Sequence, residues 1–233
     1  ALHSEICYCA VKRDKIKGKW KYYIQITLKG HVPDKFDKQT GELKRQLGKG
    51  NVGLYFTSTS LTVSTEDGVK IYSLGIRSQD EKKSELLQKM DVSRRATNPD
   101  NYNEDGTCKE RDQIEGWHFS KAYKKYRDAL NECFRKECEE KKLLQEIIAN
   151  EVIASGNVFN CNKMDFKFLQ RINGKKIQSA SPSMLKATIE RKLSYHDVSI
   201  NEISYTKLNP LLEAKNVNKK DLENVASLIR QFQ

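Results

Sequence analysis

Trp20, Tyr22 and Tyr23 interleave with Lys17, Lys19 and Lys21 in one short run. Rings and cations alternating in this way suit nucleic acid, because aromatic faces stack on bases while ammonium groups track phosphates. Tyr22 and Tyr23 must project to opposite sides of an extended strand, so one face becomes core and the other is free to bind; the same alternation serves equally well as an ordinary core hairpin. Further on, Ser93-Arg94-Arg95-Ala96-Thr97-Asn98-Pro99 sets two arginines beside Ser, Thr and Asn. In a loop, those side chains supply forked donors for phosphate oxygens, and the plainer reading is a solvated polar stretch.

Two other patterns carry less. Gly48-Lys49-Gly50-Asn51-Val52-Gly53 fits G-x-G-x-x-G, but a dinucleotide site needs that motif after a strand and opening a helix, and here it precedes a strand. A flexible entry to a sheet is the better account. Cys7, Cys9, Cys108, Cys133, Cys138 and Cys161 form no C-x-x-C, and the four histidines form no H-x₃₋₅-H pair, so no zinc knuckle is expected. Free thiols in a reducing compartment are expected instead.

Charge supports a polyanionic partner. The 233 residues include 42 Lys+Arg and 31 Asp+Glu, for a formal charge of +11. Residues 1–50 carry 12 basic and 5 acidic side chains and residues 157–233 carry 13 and 7, around a mildly acidic middle. Cations that neutralise phosphates release condensed counterions, which is the driving force expected here. No apolar run reaches the ~18 residues of a bilayer span. The start ALHSEICYCA reads as excised rather than as a signal peptide, and a cytosolic protein without a membrane partner is expected.

These residues need elements to hold them. Runs 5–13 and 19–30 predict a β-hairpin around a Lys15–Gly18 turn, followed by a polar connector over 31–50. Runs 51–57, 59–65 and 69–75 predict a three-stranded antiparallel meander. A helix is expected over 80–92, then an exposed loop to 116, then a stripe of apolar residues from Ser120 to Ala154 that makes one long helix or two. Gly156 stops it, 157–162 predicts a buried strand, Ser181-Pro182 an N-cap and N1 proline for a helix to His196, 198–204 another strand, and 210–233 a weakly amphipathic helical tail. Three antiparallel strands, a helical excursion, a strand, a helix and a strand follow the order of an RNase H-like sheet.

Five segments taken in order, 52–64 (VGLYFTSTSLTVS), 93–107 (SRRATNPDNYNEDGT), 120–160, 164–171 (MDFKFLQR) and 181–196 (SPSMLKATIERKLSYH), resemble the insertion-sequence OrfB proteins. These are also called TnpB, the transposon-encoded relatives of type V CRISPR effectors. KIKGKWKYYIQITLKG (15–30) similarly resembles the last strands of that family's wedge domain, an oligonucleotide-binding barrel. The resemblance implies an α/β fold with an RNase H-like, RuvC-type mixed sheet, a long helical insertion at about 78–156, and a preceding wedge-like hairpin over 1–50. It also implies an RNA-guided nuclease that cuts DNA with three carboxylates and two Mg²⁺ ions.

The departures redirect that expectation. The family's first Asp lies in V-G-[IL]-D-x-G-[TP]-S-T, and this chain has Tyr55 at that position in Val52-Gly53-Leu54-Tyr55-Phe56-Thr57. Its Glu comes just before M-[ND]-F-K, where Asn162 stands ahead of Met164-Asp165-Phe166-Lys167. The zinc ribbon and last Asp have no counterpart in the 233 residues. A phenol with an ordinary pKa near 10 is a poor Mg²⁺ ligand, and an amide carries no charge. Expected, then, is a nuclease-dead, guide-RNA-dependent binder of target DNA that acts as a transcriptional repressor and uses neither Mg²⁺ nor zinc as cofactor. The implied contacts are Lys17, Lys19, Trp20, Lys21, Arg94, Arg95, Asn98 and, on the basic face of 121–142, Lys121, Lys124 and Lys125. The alternatives are an active nuclease represented by a partial chain and a decayed transposon remnant.

Overall fold

The computed structural model describes residues 4–30, 36–41, 44, 46–76 and 78–232. Parts of the connector expected over 31–50 lie outside those residues. The chain divides into two compact units, residues 30–76 with 140–233 and residues 2–29 with 77–139. The hairpin thus shares a unit with most of the expected helical excursion.

The first unit is built on a five-stranded mixed sheet. Its strands are β3 (Asn51–Phe56), β4 (Ser60–Ser64), β5 (Val69–Ser73), β6 (Val158–Asn162) and β7 (Ile200–Ile203), in the order β5-β4-β3-β6-β7. β3, β4 and β5 form the antiparallel meander, and β6 and β7 run parallel to β3. β3 is central and apolar on both sides, as a strand covered on both faces must be. Val52, Leu54, Phe56, Phe159 and Cys161 pack against Ile148, Ala149, Val152 and Ile153 of α2 (Lys121–Ala154) and Leu185, Ile189 and Leu193 of α4 (Pro182–Leu193). On the other face, Tyr55 and Ile203 meet Leu208 and Leu212 of α5 (Tyr205–Ala214) and Val225, Ala226, Leu228 and Ile229 of α6 (Leu222–Arg230).

Glycines permit this closeness. A Cβ on Gly53 would sit 2.1 Å from the Ala226 carbonyl oxygen of α6, and one on Gly48 would sit 2.3 Å from the Ala154 carbonyl oxygen. Two glycines of the G-x-G-x-x-G run are therefore packing glycines.

Three sequence expectations are corrected in this unit. A helix α3 (Phe166–Ala180) intervenes before α4, capped by Asp165, whose side chain accepts from the Phe168 amide. Its signal is broken by Asn173-Gly174, and Asn173 has non-helical angles. Ser181 does not cap α4 with its side chain; it sits in a left-handed conformation between α3 and α4, and its hydroxyl donates to the Gln178 carbonyl. The tail is two helices rather than one weakly amphipathic segment, and α6 is sharply one-sided, with Val225, Ala226, Leu228 and Ile229 all buried.

In the second unit, β1 (Ile6–Ile16) pairs antiparallel with β2 (Lys19–Leu28) across Lys17 and Gly18, both at positive φ. That is the two-residue hairpin turn whose twist matches the strands. The expectation that one face would be core is not met: Val11, Ile24 and Tyr22 are 76%, 75% and 66% exposed, and Tyr23 on the opposite face is 45% exposed. α1 (Asp80–Thr97) packs Leu86 against Leu130 and Cys133 of α2. It runs past the expected end at residue 92 because Arg94 and Arg95 suit a helix C-terminus and Thr97 bonds back to the Ser93 carbonyl; Asn98, preceding Pro99, ends it. Among the described residues, no helix is long and apolar enough to cross a membrane.

Candidate functional site

Tyr55 and Asn162 stand at the carboxyl ends of adjacent parallel strands, on the sheet face covered by α5 and α6. The backbone register of β3 and β6 runs from Asn51↔Val158 to Leu54↔Cys161. The side chain of Asn162, 1% exposed, carries the pairing further: its Oδ1 accepts from the Phe56 amide at 2.8 Å, and its Nδ2 donates to the Phe56 carbonyl at 3.0 Å. The amide side chain thereby imitates a strand backbone, with a donor and an acceptor side by side. Its remaining N–H goes to the Tyr205 hydroxyl at 3.1 Å.

The side chain of Asn162 thus reaches Tyr205 rather than Tyr55. Sequence reasoning missed Tyr205, whose signal is its place two residues beyond the end of β7, where it opens α5. Tyr55 lies instead in the apolar layer, and burial, with Tyr205 nearby, pushes its phenol pKa above the ordinary value. Neither side chain offers negative charge, and the amide has both polar atoms engaged. These residues do not fit a two-metal site. Among the described residues, no group of three His, Cys, Asp or Glu could hold a metal ion.

The ten residues expected to meet nucleic acid all belong to the second unit. Lys17 forms the hairpin turn, and its amide donates to Glu132 of α2 at 3.3 Å, while Lys15 pairs with Asp128 at 2.6 Å. Trp20 is half exposed and covered by a cation, with the Arg13 guanidinium 4.8 Å from its ring centroid. Lys19 and Lys21 are exposed on the strand that follows.

Arg94 and Arg95 occupy the last turn of α1 rather than a loop, and they share one carboxylate. Arg94 Nη2 and Arg95 Nε each donate to Asp91 at 2.7 Å, and the two guanidiniums hold that carboxyl below its ordinary pKa. Arg95 also donates to the Gly106 carbonyl and lies over Tyr102, while Arg94 lies over Trp117. Asn98 is buried, donates to the Arg94 and His118 carbonyls and accepts from the His118 amide. Its polar atoms are spent on closing the segment 98–118.

That closure brings the ends of two helices together. Ser93 of α1 bonds Ser120, which caps α2 by accepting from the Tyr123 amide at 3.0 Å. Lys121, Lys124 and Lys125 follow on one exposed face of the first turns, without ion pairs among the described residues. Positive charge at a helix N-terminus opposes the macrodipole, so local stability does not account for these lysines. No family model matches the chain, and no curated protein matches it.

Proposed function

We propose that the chain is an RNA-guided DNA-binding protein derived from a transposon-encoded RuvC-type nuclease, with cleavage lost and repression of transcription as its output. The strand order β5-β4-β3-β6-β7, with an antiparallel meander and two further strands parallel to the first, is compatible with an RNase H-like sheet. The observation that carries the reading is the neutral pair at the strand ends: Asn162 is built into the sheet's hydrogen bonding and Tyr55 into its apolar layer, where an active relative would need carboxylates. Ten candidate contacts within one unit supply the cationic and aromatic groups that a nucleic-acid backbone requires.

The purified full chain tests this directly. A discrete structured RNA should co-purify with it, and guided DNA should bind with a log–log salt slope of about −0.7 to −0.9 per phosphate contact. Plasmid cleavage with Mg²⁺ or Mn²⁺ should equal the buffer control. Cleavage above control that Asn162→Ala abolishes would overturn the loss of activity, and protein free of nucleic acid would overturn the guided reading.

A further inference from the structure

Beside Asn162, a cavity of about 980 Å³ opens at the carboxyl ends of β6 and β7. That end of a parallel sheet is where open α/β folds receive ligands. The volume sits at the top of the ~300–1,000 Å³ typical of small-molecule sites. Met164, Phe166, Leu169 and Ile177 line it, together with Phe168, which is 56% exposed.

The polar groups in the lining are Lys163, Asp165, Lys167, Gln170, Ser183, Ser204 and Tyr205. Lys163 and Lys167 form no ion pair among the described residues. Tyr205 accepts its hydrogen bond from Asn162, so its own hydroxyl proton is left for another acceptor. Asp165 has Oδ1 accepting from the Phe168 amide at 3.0 Å as the cap of α3, so the lining sets two lysines against one carboxylate. A largely apolar chamber whose lining includes two lysines and a phenolic donor has the complementarity of an amphiphile with a single anionic head.

We propose that this cavity binds a small soluble amphipathic carboxylate, its apolar body among Met164, Phe166, Leu169 and Ile177 and its head held by Lys163, Lys167 and the Tyr205 hydroxyl. A nucleotide fits less well, because most of its base and sugar would meet apolar walls rather than Gln170, Ser183 or Ser204. The inference does not depend on the ten candidate nucleic-acid contacts, which belong to the other unit.

Calorimetric titration of the full chain with octanoate and with its neutral analogue 1-octanol tests the site. Octanoate should bind saturably at one site, about tenfold or more tighter than octanol, the worth of charge-assisted hydrogen bonds. Lys163→Ala with Lys167→Ala should bring octanoate down to the affinity of octanol while leaving octanol unchanged. Tyr205→Phe should weaken octanoate alone, and Met164→Trp should exclude both, with circular dichroism checking the fold of each variant. The proposal is overturned if octanoate shows no saturable binding at millimolar concentration, if octanol binds as tightly, or if binding survives the paired lysine substitution. Displacement of octanoate by a single-stranded oligonucleotide would assign the cavity to nucleic acid instead, and sedimentation with phosphatidylglycerol vesicles through the same lysines would assign it to lipid; either result overturns it.

Discussion

At the scale of single residues, Asn162 is defined by what it donates. Asn162→Asp keeps the acceptor for the Phe56 amide but places a second oxygen where Nδ2 now donates to the Phe56 carbonyl and to Tyr205. The Tyr205 hydroxyl can turn to donate to that oxygen, but the Phe56 carbonyl loses its donor and faces a buried carboxylate, which should cost roughly 3–5 kcal/mol near neutral pH. The folded state would raise the pKa of the introduced carboxyl above its unfolded value. The loss should therefore be full well above that folded pKa and shrink as pH falls toward the unfolded value, a trend that urea unfolding between pH 4 and 7 would reveal. Millimolar Mg²⁺ should not restore stability; a rise in melting temperature with Mg²⁺ would contradict the description of this site. The opposite sign applies to Glu132, which two hydrogen bonds from Arg135 hold down at about 2 from an ordinary 4.5. Its contribution is present above pH 4.5 and is lost as pH falls toward 2. Arg135→Gln should flatten that part of the acid-unfolding curve, as read by ellipticity against pH.

Elements show where close packing outranks local preference. Gly53→Ala would drive a methyl against the backbone of α6 and should destabilise by about 1–3 kcal/mol or more, the range for overpacking, whereas Gly174→Ala in α3 meets open space and should be neutral or stabilising by up to ~1 kcal/mol. Equal effects in denaturant titrations would remove the packing account of the glycines. α2 poses a different conflict, since Lys121, Lys124 and Lys125 crowd its N-terminus. Lys124→Glu should stabilise by about 0.3–1 kcal/mol through the dipole while weakening RNA affinity and making its salt slope shallower. The strands and the long helix were legible because short β-rich runs bounded by turn residues survive in 51–75 and period 3.6 in 120–154. α3 was not, because Asn173-Gly174 interrupts its periodicity, and the end of α1 was not, because Arg94 and Arg95 read as loop donors until Asp91 is seen to bind both. The strand-end substitutions were legible as residue types; their hydrogen bonds were not, since Tyr205 lies 43 residues from Asn162.

For the molecule as a whole, the +11 charge and the exposed apolar side chains of the hairpin act together. A two-stranded sheet is marginal in isolation, and β1 and β2 offer long edges beside exposed Val11, Tyr22 and Ile24. Lysines on and around these strands repel a second edge, a safeguard that works only over the ~8 Å Debye length of physiological salt. Raising salt should therefore let hairpins of separate copies approach and, on the proposed nucleic-acid reading, release nucleic acid at the same time. Light scattering of the protein alone should grow between low and high sodium chloride, and Ile24→Lys should suppress that growth; scattering that instead falls with salt would assign the association to charge attraction. On the proposed nucleic-acid reading, the colloidal behaviour of the chain would be set by the same counterions that govern its affinity, so a preparation stripped of nucleic acid at high salt would be the one most exposed to precipitation.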